Sequence, residues 1–355
     1  MIAKGTGGKV TGRDAVRIAG VYAAGICAGW LFARLGLPLP WMIGPLLSTA
    51  LLSFGGFLQK PLPVATRPFG QAVVASTVGL SFTAEALRLV VSMMPVLVAM
   101  CAITAGLAFA MSVVQARMAG ARLSRMLLAT FPVAPVEAAI LAEHFRIPAA
   151  PVVMAQTLRI AAVVVAVPLL LYAIDGRPET AGALPGHGDW NLPGLALLVP
   201  FAAIGGLLFR VAGWVNPFFL GPLAMISALT ACGVPLSHYP PLVLGAAQVV
   251  LGGWLGSTFQ PALFRGARRE LAVSLFGTPV LLVLTCLGAV ALSALTPLSW
   301  ETVILGMAPG GVTEMALTAQ YLHQNLSLVT AAHLVRIFLL MPLARPLMRL
   351  ADRLG

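Results

Sequence analysis

Charge is what this sequence has least of. Only 9% of its 355 residues are Asp, Glu, Lys or Arg, against about 25% in an average soluble domain, so the chain cannot clothe a soluble globule. Histidine is scarce and dispersed: His144, His187, His238, His323 and His333 stand without ligand spacing. That argues against a copper or iron oxygenase, whose metal needs clustered His or carboxylate ligands. We expect no metal, no cofactor and no enzymatic activity. Cys27, Cys101, Cys232 and Cys286 each lie alone in an apolar segment without CxxC spacing and read as small core residues, not as disulfide, zinc or iron–sulfur positions. Long polar stretches are also missing. None exceeds about twenty residues, which leaves no module outside a bilayer to dock in a DNA groove, so no direct nucleic-acid binding is expected.

What the chain has instead is 59% hydrophobic residues. Apolar stretches able to cross, or nearly cross, about 30 Å of hydrocarbon recur at Ile18–Leu35, Trp41–Leu58, Phe69–Phe82, Leu89–Val114, Leu127–Ala142 and Ala149–Ala173. They return at Leu192–Gly213, Phe218–Val234, Pro241–Phe259, Leu271–Leu295, Val303–Leu322 and Leu326–Leu343. The lipid bilayer is therefore the solvent. The first ~17 residues are polar and basic, unlike a cleavable signal, so the first span is expected to direct insertion. The formal charge of +11 comes from bases spread over short loops and both termini, a distribution that suits membrane topology better than a nucleic-acid patch.

The two halves are one sequence written twice, offset by 177 without a gap. Gly44-Pro45-Leu46 meets Gly221-Pro222-Leu223, Gln71 meets Gln248, Pro132 meets Pro309, Glu137 meets Glu314, and Arg159-Ile160 meets Arg336-Ile337. This divides the chain into a first membrane repeat, 1–177, and a second, 178–355. Such duplication is the build of many secondary transporters, whose ligand site lies between the repeats.

Loop charge decides how the copies face. If the fifth segment of each half is re-entrant and the N-terminus is cytoplasmic, 17 bases fall inside and only Arg34, Arg88 and Arg177 fall outside. Twelve plain crossings give 13 against 7. The positive-inside rule thus favours inverted repeats with ten crossings and two re-entrant elements, both termini inside. The basic Arg117-Arg122-Arg125 loop agrees, since its counterpart near Ser293–Pro297 has no base. The linker Asp175–Asp189, with Glu179 and His187, would then be periplasmic.

The strongest local signal is Ala308-Pro309-Gly310-Gly311-Val312-Thr313-Glu314-Met315. Pro-Gly-Gly inside an apolar segment breaks a helix, and broken backbone at that depth is tolerated only within protein or beside a wet cavity. The first copy reads Phe131-Pro132-Val133-Ala134-Pro135-Val136-Glu137-Ala138, keeping Pro and Glu but not the glycines. Glu137 and Glu314 are intramembrane acids and functional candidates by default. Each precedes its arginine, Arg159 or Arg336, by 22 residues with a turn halfway, near Pro148 and Asn325. Eleven helical residues span about 16 Å, half the core, so acid and base reach similar depth on neighbouring antiparallel segments. Either they form a structural ion pair within each copy, or the carboxylate exchanges its partner for a proton or cation while Arg meets an anionic group of the substrate. Gln71 and Gln248, in short Gly- and Ser-containing segments, either bond between helices or reach a ligand. His333, one turn before Arg336 and opposite Gln156 of the first copy, either relays protons or is a satisfied interhelical donor. The Gly44-Pro45 and Gly221-Pro222 segments read as packing kinks or as a second broken pair.

The duplicated Gly-Pro-Leu segment and the Pro-Gly-Gly-x-x-Glu-Met segment resemble the membrane AbrB family, also catalogued as ammonia monooxygenases or regulators of aidB expression. The likeness covers nearly the whole chain. It implies a duplicated membrane domain in which Pro309, Gly310, Gly311 and Glu314 take the motif positions, whereas Val133 and Ala134 depart from it. The fold expected is an all-α integral membrane protein of two inverted repeats. The function expected is transport of a small anionic or zwitterionic metabolite across the bacterial inner membrane, coupled to protons or sodium. The alternative is a ligand-binding membrane regulator that influences gene expression indirectly, without transport. Oligomeric state stays open, a homo-oligomer included.

Overall fold

The computed structural model describes residues 12–58, 60–176, 190–260 and 268–354. Lys4, Lys9, Arg265 and most of the linker, with Arg177, Glu179 and His187, lie outside the described residues. The described chain is all-α. Its first half runs α1 (Gly12–Arg34), α2 (Pro40–Phe54), α3 (Arg67–Gly79), α4 (Ala84–Ser92), α5 (Met94–Ala119), α6 (Leu123–Thr130), α7 (Pro135–His144) and α8 (Ala149–Asp175). Its second half runs α9 (Leu192–Val211), α10 (Pro217–Ala231), α11 (Pro241–Ser257), α12 (Arg268–Ser293), α13 (Trp300–Met307), α14 (Val312–Tyr321) and α15 (Leu326–Leu354).

The 177-residue offset survives in the backbone. Both ends of α2, α6 and α7 map onto those of α10, α13 and α14. Among the described residues, eight of the ten with positive φ recur in pairs: Gly36 with Gly213, Leu39 with Asn216, Gly56 with Gly233, and Arg146 with His323. A positive φ is rare for residues other than glycine, so its return at Leu39/Asn216 and Arg146/His323 means that turn geometry was duplicated along with the helices.

Six helices, α1, α5, α8, α9, α12 and α15, are long and apolar enough to span a bilayer, and α3 with α4 makes a seventh candidate bent by 87°. The chain is a multi-pass membrane protein. Helices α2, α10 and α11 are apolar but shorter, about 22–26 Å at 1.5 Å per residue, and α11 is buried along most of its length. Gly44 of α2 is pressed against the backbone of Ala28 and Gly29 in α1, and Gly221 of α10 occupies the same place against Gly205 and Gly206 in α9. The Gly-Pro-Leu segments are therefore packing devices within each copy. The other face of α2 packs on α11: Gly252 abuts the carbonyl of Met42, and Gly256 abuts that of Leu46, four residues further along each helix. The two helices thus run in the same direction. So do α3 and α10, since Gln71 touches Asn216 at one end and Gly79 touches Ile226 at the other.

Each half ends in a helical hairpin laid against a long helix. In the second half, Ser299 and Thr302 at the start of α13 donate to Gln324 Oε1, at 3.2 and 3.3 Å, just after the end of α14. The hairpin therefore begins and ends at one level. In the first half, Arg125 and Met126 flank Pro151 and Val152 at the start of α8, while the Leu128 carbonyl accepts from Gln156 Nε2 at 2.6 Å. Helix α6 thus climbs along α8, and α7 returns.

Candidate functional site

The hairpin tips, 131–134 and 308–311, are where each helix is broken, and a break leaves two kinds of orphan. The end of the first arm has carbonyls without donors, and the start of the second arm has amides without acceptors. Arg has only donors and ionised Glu only acceptors, and each goes to the matching need. Arg159 donates from Nε to the Pro309 carbonyl at 3.1 Å and from Nη1 to the carbonyls of Ala129, at 3.3 Å, and Thr130. Arg336 donates from Nη1 to the Ala308 carbonyl at 2.8 Å and from Nη2 to the Gly310 carbonyl at 3.0 Å. The glutamates instead sit in the first turn of the second arms. Glu137 takes the backbone N–H of Ala134. The Glu314 carboxylate lies so close over Gly311 that a Cβ there would collide with it.

Of the two readings of these residues, the structural ion pair within each copy is therefore absent among the described residues. Among the described residues the ion pair within 4.0 Å is Arg125–Glu270, remote in sequence from both. Glu and Arg do reach the same level, but broken-helix backbone stands between them and takes up both. Glu137 is buried and Glu314 half-buried, while Arg159 and Arg336 are 4% and 5% exposed. The two guanidiniums are near enough to interact electrostatically.

His333 is fixed by the same network. Arg336 Nη2 donates to its Nδ1 at 2.6 Å, which leaves the proton on Nε2, and Nε2 donates to the Leu305 carbonyl at 2.9 Å. Gln156 makes the equivalent bond to Leu128 in the first copy, so His333 and Gln156 hold equivalent arms. A second proton on His333 would require Arg336 to let go. Thr313 is buried in the first turn of α14, and Gly310 is packed against Val163 and Met315.

A second polar cluster joins the copies near Glu314. With its amide turned so that oxygen, not nitrogen, faces the guanidinium, Gln71 accepts from Arg67 Nε and Nη2, each at 3.2 Å, and donates from its nitrogen to Asn216 Oδ1 at 3.2 Å. Arg67 also stacks over the Trp254 ring, 4.3 Å from its centroid, and is electrostatically coupled to Glu314. Gln248, the counterpart of Gln71, is buried in α11 outside this cluster. Arg67 was counted as loop charge from the sequence. Its spacing of four from Gln71, which puts both on one face of a helix, was the available sign. Trp254 carried none.

Comparison with known proteins agrees with this duplicated architecture. A curated relative, the uncharacterized protein YhjN of Bacillus subtilis (strain 168), is 28% identical over 217 residues, which is 57% of this chain and 56% of the relative. The match thus spans little more than half of that protein. The family described as transition state regulatory protein AbrB matches twice, over residues 3–150 and 134–352. The chain belongs to this membrane AbrB family.

Proposed function

We propose that this protein is an inner-membrane secondary transporter for a small anionic or zwitterionic metabolite, with proton or sodium coupling and no chemical conversion. The observation that carries the reading is the pair of buried guanidiniums, Arg159 and Arg336, at the meeting of two hairpin tips, with no carboxylate among the described residues salt-bridged to either. Two cations held by carbonyl dipoles and, at Arg336, by the neutral His333 ring, between the positive N-terminal ends of α7 and α14, make a low-dielectric centre that favours an anion. Glu314, at the rim and coupled to Arg67 of the other copy, is placed to exchange that coupling for a proton or cation.

Inverted repeats fit the helix directions. The second segment of each copy runs parallel to the third segment of the other, α2 with α11 and α3 with α10. Copies facing the same way would make each of these pairs antiparallel. Adding the short helices to the long ones and counting the hairpins as re-entrant gives ten crossings, with both termini on the basic, cytoplasmic side. Rocking of the copies would then alternate access.

The second reading is a membrane regulator that binds the same anion without moving it, favoured by the regulatory description of the family. Any effect on transcription would then be indirect. Proteoliposomes assayed with labelled small carboxylates, amino acids and phosphate separate the two. Saturable uptake that Glu314→Gln abolishes, with insertion intact, supports transport. Binding without flux supports the regulator, and transport unchanged in Glu314→Gln would sink the role given to this acid.

A further inference from the structure

The hairpin tips are approached differently from the two sides. Between α6, α8 and α12 a narrow cleft starts at the Arg125–Glu270 ion pair, 2.9 Å apart, and passes Ser274. A second cleft shares Ala129, Ala155 and Ser274 with the first and continues past Thr278, Gln115 and Thr130 to Arg159. Polar side chains punctuate its largely apolar walls: Ser274, Thr278, Gln115 and Thr130 follow one another toward Arg159. The Ser274 hydroxyl lines both clefts and is buried without a hydrogen-bond partner, while Gly277 on α12 leaves the space that the Gln115 amide fills. Both clefts are little wider than a water molecule, so this is a closed path, not an open one.

Pseudo-symmetry supplies the control. Subtracting or adding 177 turns Glu270, Ser274 and Thr278 into Met93, Leu97 and Cys101, and turns Gln115 and Thr130 into Leu292 and Met307. The mirror approach, toward Arg336, is thus largely apolar: Arg125 becomes Thr302, whose hydroxyl is already given to Gln324. It is also filled: Leu97, Met100, Cys101 and Met307 are all buried, and the Met100 methyl lies against Gly306. An anion leaving water needs donors along its way to replace hydration, and only the first approach offers them.

We infer that a small anion reaches Arg159 through this polar path between α6, α8 and α12, with Ser274 as a hydroxyl donor along it and Arg125–Glu270 as its gate. The mirror approach to Arg336 is sealed by methionine and leucine in this state. This rests on the anion reading above, but its test does not require transport. The full chain, with its four native cysteines replaced by alanine, is placed in nanodiscs so that both faces are open to reagent. Ser274→Cys and its mirror Leu97→Cys are then labelled with a sulfonate-bearing methanethiosulfonate. Ser274→Cys is expected to react and Leu97→Cys to be protected. Glu270→Gln should raise the rate at Ser274→Cys by about fivefold, the scale of a partly exposed ion pair. The swapped pair R125E/E270R should bring the rate back toward the parent value, which a merely misfolded variant would not do. Equal labelling of the two cysteines, or a rate at Ser274→Cys indifferent to Glu270→Gln, would overturn the path and its gate. Faster reaction with a cationic reagent than with the sulfonate would leave the path standing and overturn the choice of an anion.

Discussion

Arg159 of the first copy donates through Nε to the carbonyl of Pro309 in the second, at 3.1 Å, and its counterpart Arg336 makes no such crossing. Arg336 bonds the carbonyls of Ala308 and Gly310 and the ring of His333, all in its own copy. Sequence symmetry is thus broken at the point where the copies meet.

A difference in stability follows. Arg159→Gln strands carbonyls in both hairpins, each stranded polar group costing about 1–3 kcal/mol, and also breaks the bond between copies; Arg336→Gln strands the carbonyls of one hairpin and His333 Nδ1, all within its own copy. Thermal unfolding in detergent should show the larger loss for Arg159→Gln. Arg159→Lys should not rescue it, because a compact ammonium cannot replace the rigid fork of a guanidinium. A Lys variant as stable as the parent would mean that charge alone, and not bridging, matters at this position.

Gly311 has a role that its counterpart Ala134 shows to be specific to one copy. A Cβ at 311 would strike the Glu314 carboxylate, so Gly311→Ala must displace that carboxylate from the tip. We expect a folded protein, monodisperse on elution, in which the response to anions is impaired to the extent expected for Glu314→Gln. Ala134→Gly in the first copy should leave that response unchanged. Normal anion response in Gly311→Ala would show that the carboxylate position is not critical.

Much of this was legible beforehand, and the reasons for the rest are physical. The duplication, the breaks near Pro132 and Pro309 and the membrane class follow from residue type and offset, which a sequence carries directly. Partner choice does not. Glu137 and Arg159 looked like a pair because their depths match, yet a broken helix presents orphan amides to one and orphan carbonyls to the other, a competition visible only once the backbone is placed. Helix α4 was also hidden: Thr83 caps it by accepting from Ala86 N at 3.2 Å, while Arg88 was counted as loop charge. The role of Arg67 was masked by treating every base near a segment end as a topology signal.

The cluster of Arg67, Trp254 and Glu314 makes a prediction about coupling between copies. If Arg67 restrains Glu314, then removing either charge should remove most of what the pair contributes, and a double-mutant cycle of Arg67→Gln with Glu314→Gln should be non-additive. Trp254→Leu should weaken the arginine's hold by about 0.5–2 kcal/mol, the range of a cation–π contact. Unfolding midpoints of the four proteins of the cycle provide the measurement. Strict additivity would show that the two side chains act independently.

The final prediction concerns why α2 and α11 can be so short. Helix α11 is buried along most of its length, and small residues on it let it approach α2 closely. Gly252 and Gly256 let α11 touch the Met42 and Leu46 carbonyls, so Gly252→Ala or Gly256→Ala must push the two helices apart. Overpacking of this kind costs about 1–3 kcal/mol, and it should separate the copies, since α2 belongs to the first and α11 to the second. Gly106 in α5 is the control, because a Cβ there meets nothing within 4 Å. Thermal unfolding should therefore show a marked loss for either α11 variant and none for Gly106→Ala. Equal tolerance at all three positions would mean that the contact between α2 and α11 gives way without cost, and that the copies are held together elsewhere, with Arg159 the first place to look.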